Sequence, residues 1–359
     1  MRLSRRAREF LREGRPYPFA AEYGRRKGLI NLASNESPFG PSPLVLRALR
    51  EALPSVGLYP DPQSPELRRA VGKYVGLSQE EVLVGNGSDE LMDLLCRALL
   101  DPGDPVLLPL PSFSFYEIGV RLSGGRPLFY RGKEMEWDPG ELLSLARRSR
   151  LVFLGRPNNP TGGCLEEETI EGMLETGTVV VLDEAYVEFS SRGSLARLIR
   201  ERENLVVLRT FSKAFGLAGL RVGYLLGSRE LVSALERLRQ PFSVNRLAQV
   251  AALAALRDLD HVRRVVERIR EERERLREEL EGLGLRVLPS EANFLMVDVS
   301  PLGLTAGEVC ARLRRRGILI RDLSSFRGAG RRWVRITVGR KEENGELLQA
   351  LRKVKEGGG

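Results

Sequence analysis

Lys213 is the residue of this sequence whose type and setting most clearly suggest chemistry. It stands within RTFSKAFGLAGLRVGY (residues 209–224) and is one of 7 lysines among 57 basic residues. Arginine keeps its charge at neutral pH, whereas a lysine that is shielded from water can lose its proton and act as a nucleophile. Lys213 is therefore a candidate nucleophile, and the residues that surround it determine whether it can act as one.

The scarcity of histidine limits the chemistry that is available. His261 is the only histidine, and it begins a stretch of mixed Arg and Glu that is typical of a solvated helix. A Ser-His-Asp triad, a Cys-His pair or a histidine-rich metal site would need that one residue. Cys96, Cys164 and Cys310 lie far apart, which argues against a disulfide framework or a zinc site. We therefore expect no metal, and chemistry that depends on lysine, carboxylates, tyrosine or a cofactor.

The composition is that of a soluble globular protein with a positive surface. The chain has 359 residues, 29% of them charged, and a net charge of +9. No apolar run approaches the roughly 20 residues of a membrane span, and the basic N-terminus lacks the apolar core of a signal peptide. The positive charge is mixed with Glu, so it suits anionic small molecules better than nucleic acid. We expect a cytoplasmic protein without membrane or nucleic-acid partners.

Short apolar runs that alternate with helical patterns supply the elements that must position Lys213. Runs rich in Val and Leu, without polar alternation, are typical of buried parallel strands with helices on both faces. These runs occupy residues 80–85, 104–110, 150–155, 178–184, 204–210 and 221–227. After about residue 255, a long charged helix leads into mixed strands and helices. We predict a large α/β domain over residues 36–255 and a smaller α+β domain over residues 1–35 and 256–359.

Five polar clusters follow these runs and should meet at one edge of the sheet, where ligands of open α/β sheets gather. They occupy residues 85–89, 111–113, 156–162, 183–186 and 210–213. GNGSDE offers glycines and a helix start that can cradle a phosphate, although for this piece alone an ordinary capped turn is the favoured explanation. Asp183 ends an apolar strand and needs a cationic partner. Phe113 could stack on a flat ring or simply belong to the core. With donors at Asn159 and Tyr186 and an imine-forming Lys213, the set matches pyridoxal 5′-phosphate (PLP).

Four motifs make the chain resemble the fold-type I PLP enzymes, the aspartate-aminotransferase superfamily. SNESPFGPSP, RPNNPTG, VLDEAYVEF and RTFSKAFGLAGLRVGY occur in that family's order over nearly the whole chain. The chain is similar to the histidinol-phosphate aminotransferase subfamily also in YPDPQ, QPFSVNRLAQ, PSEANF and RITVG. The resemblance implies a PLP-dependent transferase of fold type I. This fold has a large domain, with a mostly parallel sheet between helices, and a smaller α+β domain.

The resemblance also implies how individual residues would hold the cofactor. Lys213 would bond covalently to PLP and move the proton between Cα and C4′. Asp183 would pair with the ring nitrogen, Phe113 would stack on the ring, and Asn159 and Tyr186 would bond the ring oxygen O3′. The cofactor phosphate would lie among Ser88, Asp89, Thr210, Ser212 and Arg221. Tyr59 would reach the cofactor phosphate of the neighbouring subunit, which implies a homodimer.

The resemblance implies the substrate contacts in the same way. Arg335 matches an arginine that grips the glutamate carboxylate and, in this subfamily, the phosphate of the other substrate. Arg321 matches a second phosphate-binding arginine, and Asn35 would lie near the substrate. The N-terminal segment does not align clearly with the stretch that supplies a substrate-phosphate tyrosine, so Tyr17 and Tyr23 are both candidates for that contact.

The implied function is the transfer of an amino group between L-histidinol phosphate and 2-oxoglutarate, which gives imidazole acetol phosphate and L-glutamate in histidine biosynthesis. IRDLSSFRGAGRR also resembles L-threonine O-3-phosphate decarboxylase of cobamide biosynthesis, and aminotransferases of aromatic or other amino acids are further alternatives. Ala218 favours the first function, because the decarboxylases usually have a proline there. A PLP-dependent transcription regulator would need a DNA-binding module, and only about 30 residues precede the first motif.

Overall fold

Three β-sheets organise the part of the chain that the computed structural model describes, which is residues 3–18 and 28–357. The strands are β1 (Ile30–Asn31), β2 (Val82–Gly85), β3 (Pro105–Leu110), β4 (Arg126–Arg131), β5 (Leu151–Gly155), β6 (Val179–Asp183), β7 (Leu205–Thr210), β8 (Gly223–Leu226), β9 (Arg286–Val287), β10 (Phe294–Asp298), β11 (Ile318–Leu319), β12 (Arg321–Asp322) and β13 (Trp333–Thr337).

The largest sheet has seven strands in the order β2-β8-β7-β6-β5-β3-β4. β8 runs antiparallel to both of its neighbours, and the other six strands run parallel to one another. The mostly parallel sheet predicted from the sequence is therefore confirmed. Because these strands point the same way, Asp183 at the end of β6 and Thr210 at the end of β7 lie at the same edge.

Helices cover both faces of this sheet and the smaller sheets. They are α1 (Arg5–Glu13), α2 (Pro43–Ala52), α3 (Pro65–Val75), α4 (Gly87–Leu99), α5 (Ser114–Leu122), α6 (Pro139–Ala146), α7 (Glu167–Glu175), α8 (Arg229–Leu238), α9 (Arg246–Leu256), α10 (Leu259–Gly282), α11 (Ala306–Arg315) and α12 (Lys341–Lys355). Side-chain caps begin several of them. Asn245, for example, accepts a 2.8 Å hydrogen bond from the backbone N–H of Ala248 at the start of α9.

The apolar runs of the central strands face two separate cores. Successive side chains of a strand point to opposite faces, so Val180 and Leu182 of β6 pack with α2, α3, α6, α7 and α9, whereas Val181 packs with α4, α5 and α8. A strand with a core on each side has no solvent face, which explains why these runs lack polar alternation. The sheet is thus sandwiched by helices, as expected.

The C-terminal part of the chain builds the two smaller sheets. β12-β13-β10-β9 form an antiparallel sheet, and β1 pairs in parallel with β11. Their apolar side chains form a further core with α11, α12 and the end of α10. Pairing of β1 with β11 joins the N-terminal segment to the C-terminal part. This agrees with the predicted division into residues 36–255 and the remainder, which stays a prediction.

Two features of the large sheet differ from the sequence expectation. β4 has the sequence RPLFYR, which carries arginine at both ends and lies at the sheet edge, so it shows no continuous apolar run. β8 was expected as one more parallel strand, but an apolar run carries no information about strand direction. Within the described residues, no helix combines the length and apolar character that crossing a membrane requires.

Candidate active site

A cavity of about 770 Å³ opens at the carboxyl edge of the large sheet. Segments that follow β2, β3, β5, β6 and β7 form its wall, together with side chains from β12 and β13. The five polar clusters noted in the sequence therefore meet in one place. The predicted site residues in the wall are Asn35, Ser88, Asp89, Phe113, Asn159, Asp183, Tyr186, Thr210, Ser212, Lys213, Arg221, Arg321 and Arg335.

Lys213 is partly buried in this cavity, and its amine lies among cations. Its Nζ is 3.4 Å from the backbone oxygen of Ser34 and 5.7 Å from the centre of the Tyr186 ring. Burial, together with the charges of Arg335 and Arg221, lowers the pKa of Lys213 to about 8, against the opposing carboxylates of Asp89 and Glu36. A substantial fraction of this amine is therefore neutral and nucleophilic near neutral pH.

Asp183 presents a buried carboxylate to the same cavity. Its Oδ1 accepts a hydrogen bond from the backbone N–H of Ala185 at 3.1 Å, and its Oδ2 accepts one from the Tyr116 hydroxyl at 2.7 Å. Burial raises the pKa of Asp183 to about 6, and these two hydrogen bonds hold it down from a higher value. The sequence reasoning missed Tyr116. Its position three residues after Phe113, about one helical turn on, was the only available signal.

Close backbone approach shapes the corner of the cavity at the start of α4. A Cβ atom on Gly87, whose φ is +81°, would lie 2.8 Å from Arg221 Nη2, and one on Gly223 would lie 2.9 Å from the backbone nitrogen of Ser88. Arg221 itself has a left-handed backbone (φ +53°) and donates a 3.3 Å hydrogen bond to Asp89 Oδ2. Gly87 thus leaves room for the guanidinium over the helix start, and Gly223 lets β8 approach the backbone of that helix start closely.

Hydroxyl groups complete this corner. The Thr210 hydroxyl donates to Ser212 Oγ at 2.9 Å and accepts from the backbone N–H of Ser212 at 3.0 Å. The combination of a helix N-terminus, two hydroxyl groups and the Arg221 guanidinium suits a phosphate group.

Asn35 is held almost entirely by other protein groups. Its Nδ2 donates to the Tyr186 hydroxyl at 3.0 Å, and its Oδ1 accepts from Thr337 Oγ1 at 3.0 Å. Its backbone N–H donates to Thr337 Oγ1 at 2.9 Å, and its backbone oxygen accepts from Asn293 Nδ2 at 3.1 Å. Asn35 lines the cavity, and its Nδ2 holds the Tyr186 hydroxyl in place.

Two arginines from the small sheet reach the opposite wall. Arg321 of β12 and Arg335 of β13 are directly paired across the two strands, so their side chains share one face of the sheet. Arg335 donates to the backbone oxygen of Ala33 at 2.9 Å and to Asn159 Oδ1, while its buried Nε has no partner among the described residues. Arg321 donates to the backbone oxygen of Pro18.

The two guanidinium groups are more than nine-tenths buried, with residue exposures of 7% for Arg321 and 6% for Arg335. Burial lowers the pKa of Arg335 to about 10, and the charge of Arg321 acts in the same direction. Buried like charges at this spacing are costly unless an anion joins them. The pair therefore favours an anionic ligand in this part of the cavity.

Two of the tyrosines named in the sequence analysis, Tyr17 and Tyr59, occupy different surroundings. Tyr17 lines the cavity, and its ring meets that of Phe113 edge-on at 6.1 Å. Tyr23 lies outside the described residues. Tyr59 lies outside the cavity, is 78% exposed, and its ring is 4.8 Å from that of Phe242. This exposed aromatic pair is accessible to another subunit, although the homodimer itself stays a prediction.

The residue set fits PLP. A nucleophilic amine at Lys213, a buried carboxylate at Asp183 and donors at Asn159 and Tyr186 line one cavity, beside a corner built for a phosphate. Gly87 of that corner has a φ of +81°, which favours glycine, and a Cβ there would meet the Arg221 guanidinium. Each polar group of the cofactor thus finds a chemically suitable partner in the described residues.

Comparison with known proteins agrees with this chemistry. The family described as aminotransferase class I and II matches residues 27–351. A histidinol-phosphate aminotransferase of Methanothermobacter thermautotrophicus is 40% identical over 344 residues, which cover 92% of this chain and 91% of that protein.

Two solved structures show the similarity in three dimensions. Histidinol-phosphate aminotransferase from Sinorhizobium meliloti, in complex with PLP, has a TM-score of 0.84 and 31% identity, and 91% of each chain is covered. L-threonine-O-3-phosphate decarboxylase from Porphyromonas gingivalis has a TM-score of 0.82 and 28% identity, covering 91% of this chain and 100% of that one. With its fold, cavity and family match taken together, this chain belongs to the class I and II aminotransferases.

Proposed function

We propose that this protein uses PLP to transfer an amino group between L-histidinol phosphate and 2-oxoglutarate, producing imidazole acetol phosphate and L-glutamate. The observation that carries the proposal is the buried pair Arg321 and Arg335 in the wall of the cavity that contains Lys213. A relative of 40% identity that is named for this activity supports it. Histidine biosynthesis is the process that this reaction serves.

The cofactor supplies the electron sink, and the chain supplies binding, orientation and proton transfer. Lys213 Nζ, whose pKa is lowered by burial and by neighbouring cations, is the base that can take up and return the proton of the substrate's α-carbon. Asp183 holds the ring nitrogen through a charged hydrogen bond. Tyr186 and Asn159 orient the ring oxygen, and the Phe113 ring covers one side of the cavity.

The arginine pair explains how one cavity can accept two different substrates in turn. 2-Oxoglutarate carries carboxylates, and histidinol phosphate carries a phosphate, so both offer an anion to a guanidinium. Arg335 is held rigidly by Ala33 and Asn159. Arg321 stands beside it and can add a second contact to the larger, more highly charged phosphate. Recognition therefore depends on an anion at one fixed place.

We further propose a homodimer in which Tyr59 of one subunit approaches the cofactor phosphate of the other. The exposed Tyr59 ring, which lies tilted by 31° against Phe242, supports this arrangement, as does the 2.7 Å hydrogen bond that Arg246 donates to the Tyr59 backbone oxygen. Sedimentation analysis of the purified protein together with a Tyr59→Phe variant tests it, since loss of a shared phosphate contact should weaken PLP binding without dissociating the dimer. The cytoplasmic location stays a prediction.

A decarboxylase is the second candidate, because the threonine-phosphate decarboxylase structure is similar over 91% of this chain. One pair of reactions separates the two functions. Purified protein with PLP is given either histidinol phosphate and 2-oxoglutarate, or threonine phosphate alone. Glutamate formation in the first reaction supports the proposal, and CO₂ release in the second, without glutamate in the first, refutes it. Borohydride reduction followed by peptide mapping should locate the cofactor on Lys213.

A further inference from the structure

Tyr116 is a buried residue of the site, and the proposed reaction described above assigns no role to it. It is 1% exposed and lies in the first turn of α5. Its ring stacks on Phe153 with centroids 4.9 Å apart and planes 9° apart, and it meets Phe113 edge-on at 5.6 Å. With the ring clamped in this way, the hydroxyl group has one fixed position, 2.7 Å from Asp183 Oδ2.

This hydroxyl always acts as a donor. Burial and the adjacent Asp183 charge raise the pKa of Tyr116 well above its ordinary value of 10, so the phenol keeps its proton throughout the working pH range. An apolar aromatic ring of the same shape would pack equally well between Phe113 and Phe153. The hydroxyl is therefore explained by its contact with the carboxylate.

We propose that Tyr116 is a positioning residue for the cofactor, whose hydroxyl keeps the Asp183 carboxylate ionised and oriented to bond a protonated ring nitrogen. A carboxylate has about four acceptor sites. The Ala185 N–H and the Tyr116 hydroxyl each use one, on different oxygens, so the plane of the group is fixed while acceptor capacity remains toward the cavity. This inference rests on PLP as the cofactor of the proposed function.

The other charged groups that face Asp183 make this donor necessary. Burial disfavours its ionised form, and the charge of Asp89 adds to that effect. Lys213 is the cation that opposes them, but burial favours its neutral form. The Tyr186 phenol lies near as well and is itself kept protonated by burial. The neutral donors, the Tyr116 hydroxyl and the Ala185 N–H, are the stabilising contacts that remain when Lys213 loses its proton.

The test compares two ligands in the full-length protein freed of cofactor. One ligand is PLP, and the other is its analogue in which a C–H group replaces the ring nitrogen. Tyr116→Phe keeps the stacked ring and removes only the hydroxyl. Because a hydrogen bond to a charged group contributes about 1.5–3 kcal/mol, the variant should bind PLP at least about tenfold more weakly. Its affinity for the analogue should stay within about twofold of the parent's, because the analogue has no ring nitrogen to hold.

Each outcome of the binding comparison either supports or overturns the role of Tyr116. A loss confined to PLP supports the inference, whereas equal losses for both ligands, or no loss for either, overturn it. Failure of the parent protein to bind PLP would instead overturn the proposed function. Tyr130→Phe is the matched control, since that buried hydroxyl accepts from the Asp138 backbone N–H. Should Tyr116→Phe not fold, Tyr116→Met removes the same donor, and Tyr116→His should recover part of the PLP affinity.

Discussion

The charge state of Lys213 gives the most direct quantitative prediction. In the cofactor-free protein its pKa should lie at about 8, because burial and the charges of Arg335 and Arg221 disfavour the protonated amine, compared with 10.5 for an ordinary lysine. The sign follows from the charges: cations beside an ammonium group destabilise it, so the proton leaves at a lower pH. Lys213 is then expected to lose its proton at a lower pH than a lysine of ordinary pKa.

The size of the effect follows from the two pKa values. At pH 8 about half of the Lys213 side chains are neutral, compared with about 0.3% of lysines that have an ordinary pKa, so roughly 150 times more neutral amine is present. A less basic amine is also a weaker nucleophile, which reduces the advantage by about tenfold if the dependence resembles that of thiols. Lys213 should therefore still react about tenfold faster than an ordinary lysine at pH 8.

Competitive labelling with a trace acylating reagent between pH 6 and 11, read by peptide mass spectrometry, measures this reactivity. The exposed Lys73 and Lys133 of the same molecule serve as internal references. Arg335→Gln removes one of the neighbouring cations, so the midpoint for Lys213 should move to higher pH. A midpoint near 10.5 in the parent protein, or an unchanged midpoint in Arg335→Gln, would refute the electrostatic reasoning.

Three further perturbations test the rest of the site. Lys213→Ala should reduce turnover at least about a thousandfold and retain PLP noncovalently; normal turnover would contradict its role as base. Arg335→Ala should raise KM for both glutamate and histidinol phosphate by about tenfold or more, and an effect on only one of them would mean that recognition is not shared. Thr337→Val should lower the free energy of unfolding by about 1–3 kcal/mol in urea titrations, since it leaves Asn35 without two of its buried hydrogen bonds; an unchanged urea midpoint would contradict this.

The sequence predicted the large sheet and the residues that meet at its edge because both depend on short-range patterns. Strands β2, β3, β5, β6, β7 and β8 were visible as continuous apolar runs, and Asp183 and Lys213 follow directly from strand ends. β4 was not predicted because it is only partly buried and carries an exposed arginine at each end. The direction of β8 was not predicted, because the direction of a strand depends on the connection that leads into it and not on the composition of the strand.

Contacts that depend on distant parts of the chain were not predictable in the same way. Tyr116 and Asp183 are 67 residues apart, and Asn35 and Thr337 are 302 residues apart, so no local pattern links them. Asn35 could be assigned only to the neighbourhood of the substrate, because its left-handed backbone and its bonds to Thr337 arise from the packing of β13 against the N-terminal segment. Tertiary hydrogen bonds of this kind can be recognised only in the three-dimensional structure.

The position of Arg321 and Arg335 on a different sheet from Lys213 and Asp183 separates two tasks. In the proposed function, bond making and proton movement would depend on the ends of the large parallel sheet, and the choice of molecule would depend on two strands of the small antiparallel one. Substitutions on β12, β13 and the loop between them could therefore redirect the enzyme to another phosphorylated amine while leaving its reactive machinery untouched. Such modularity accounts for the ability of one architecture to serve neighbouring metabolic reactions.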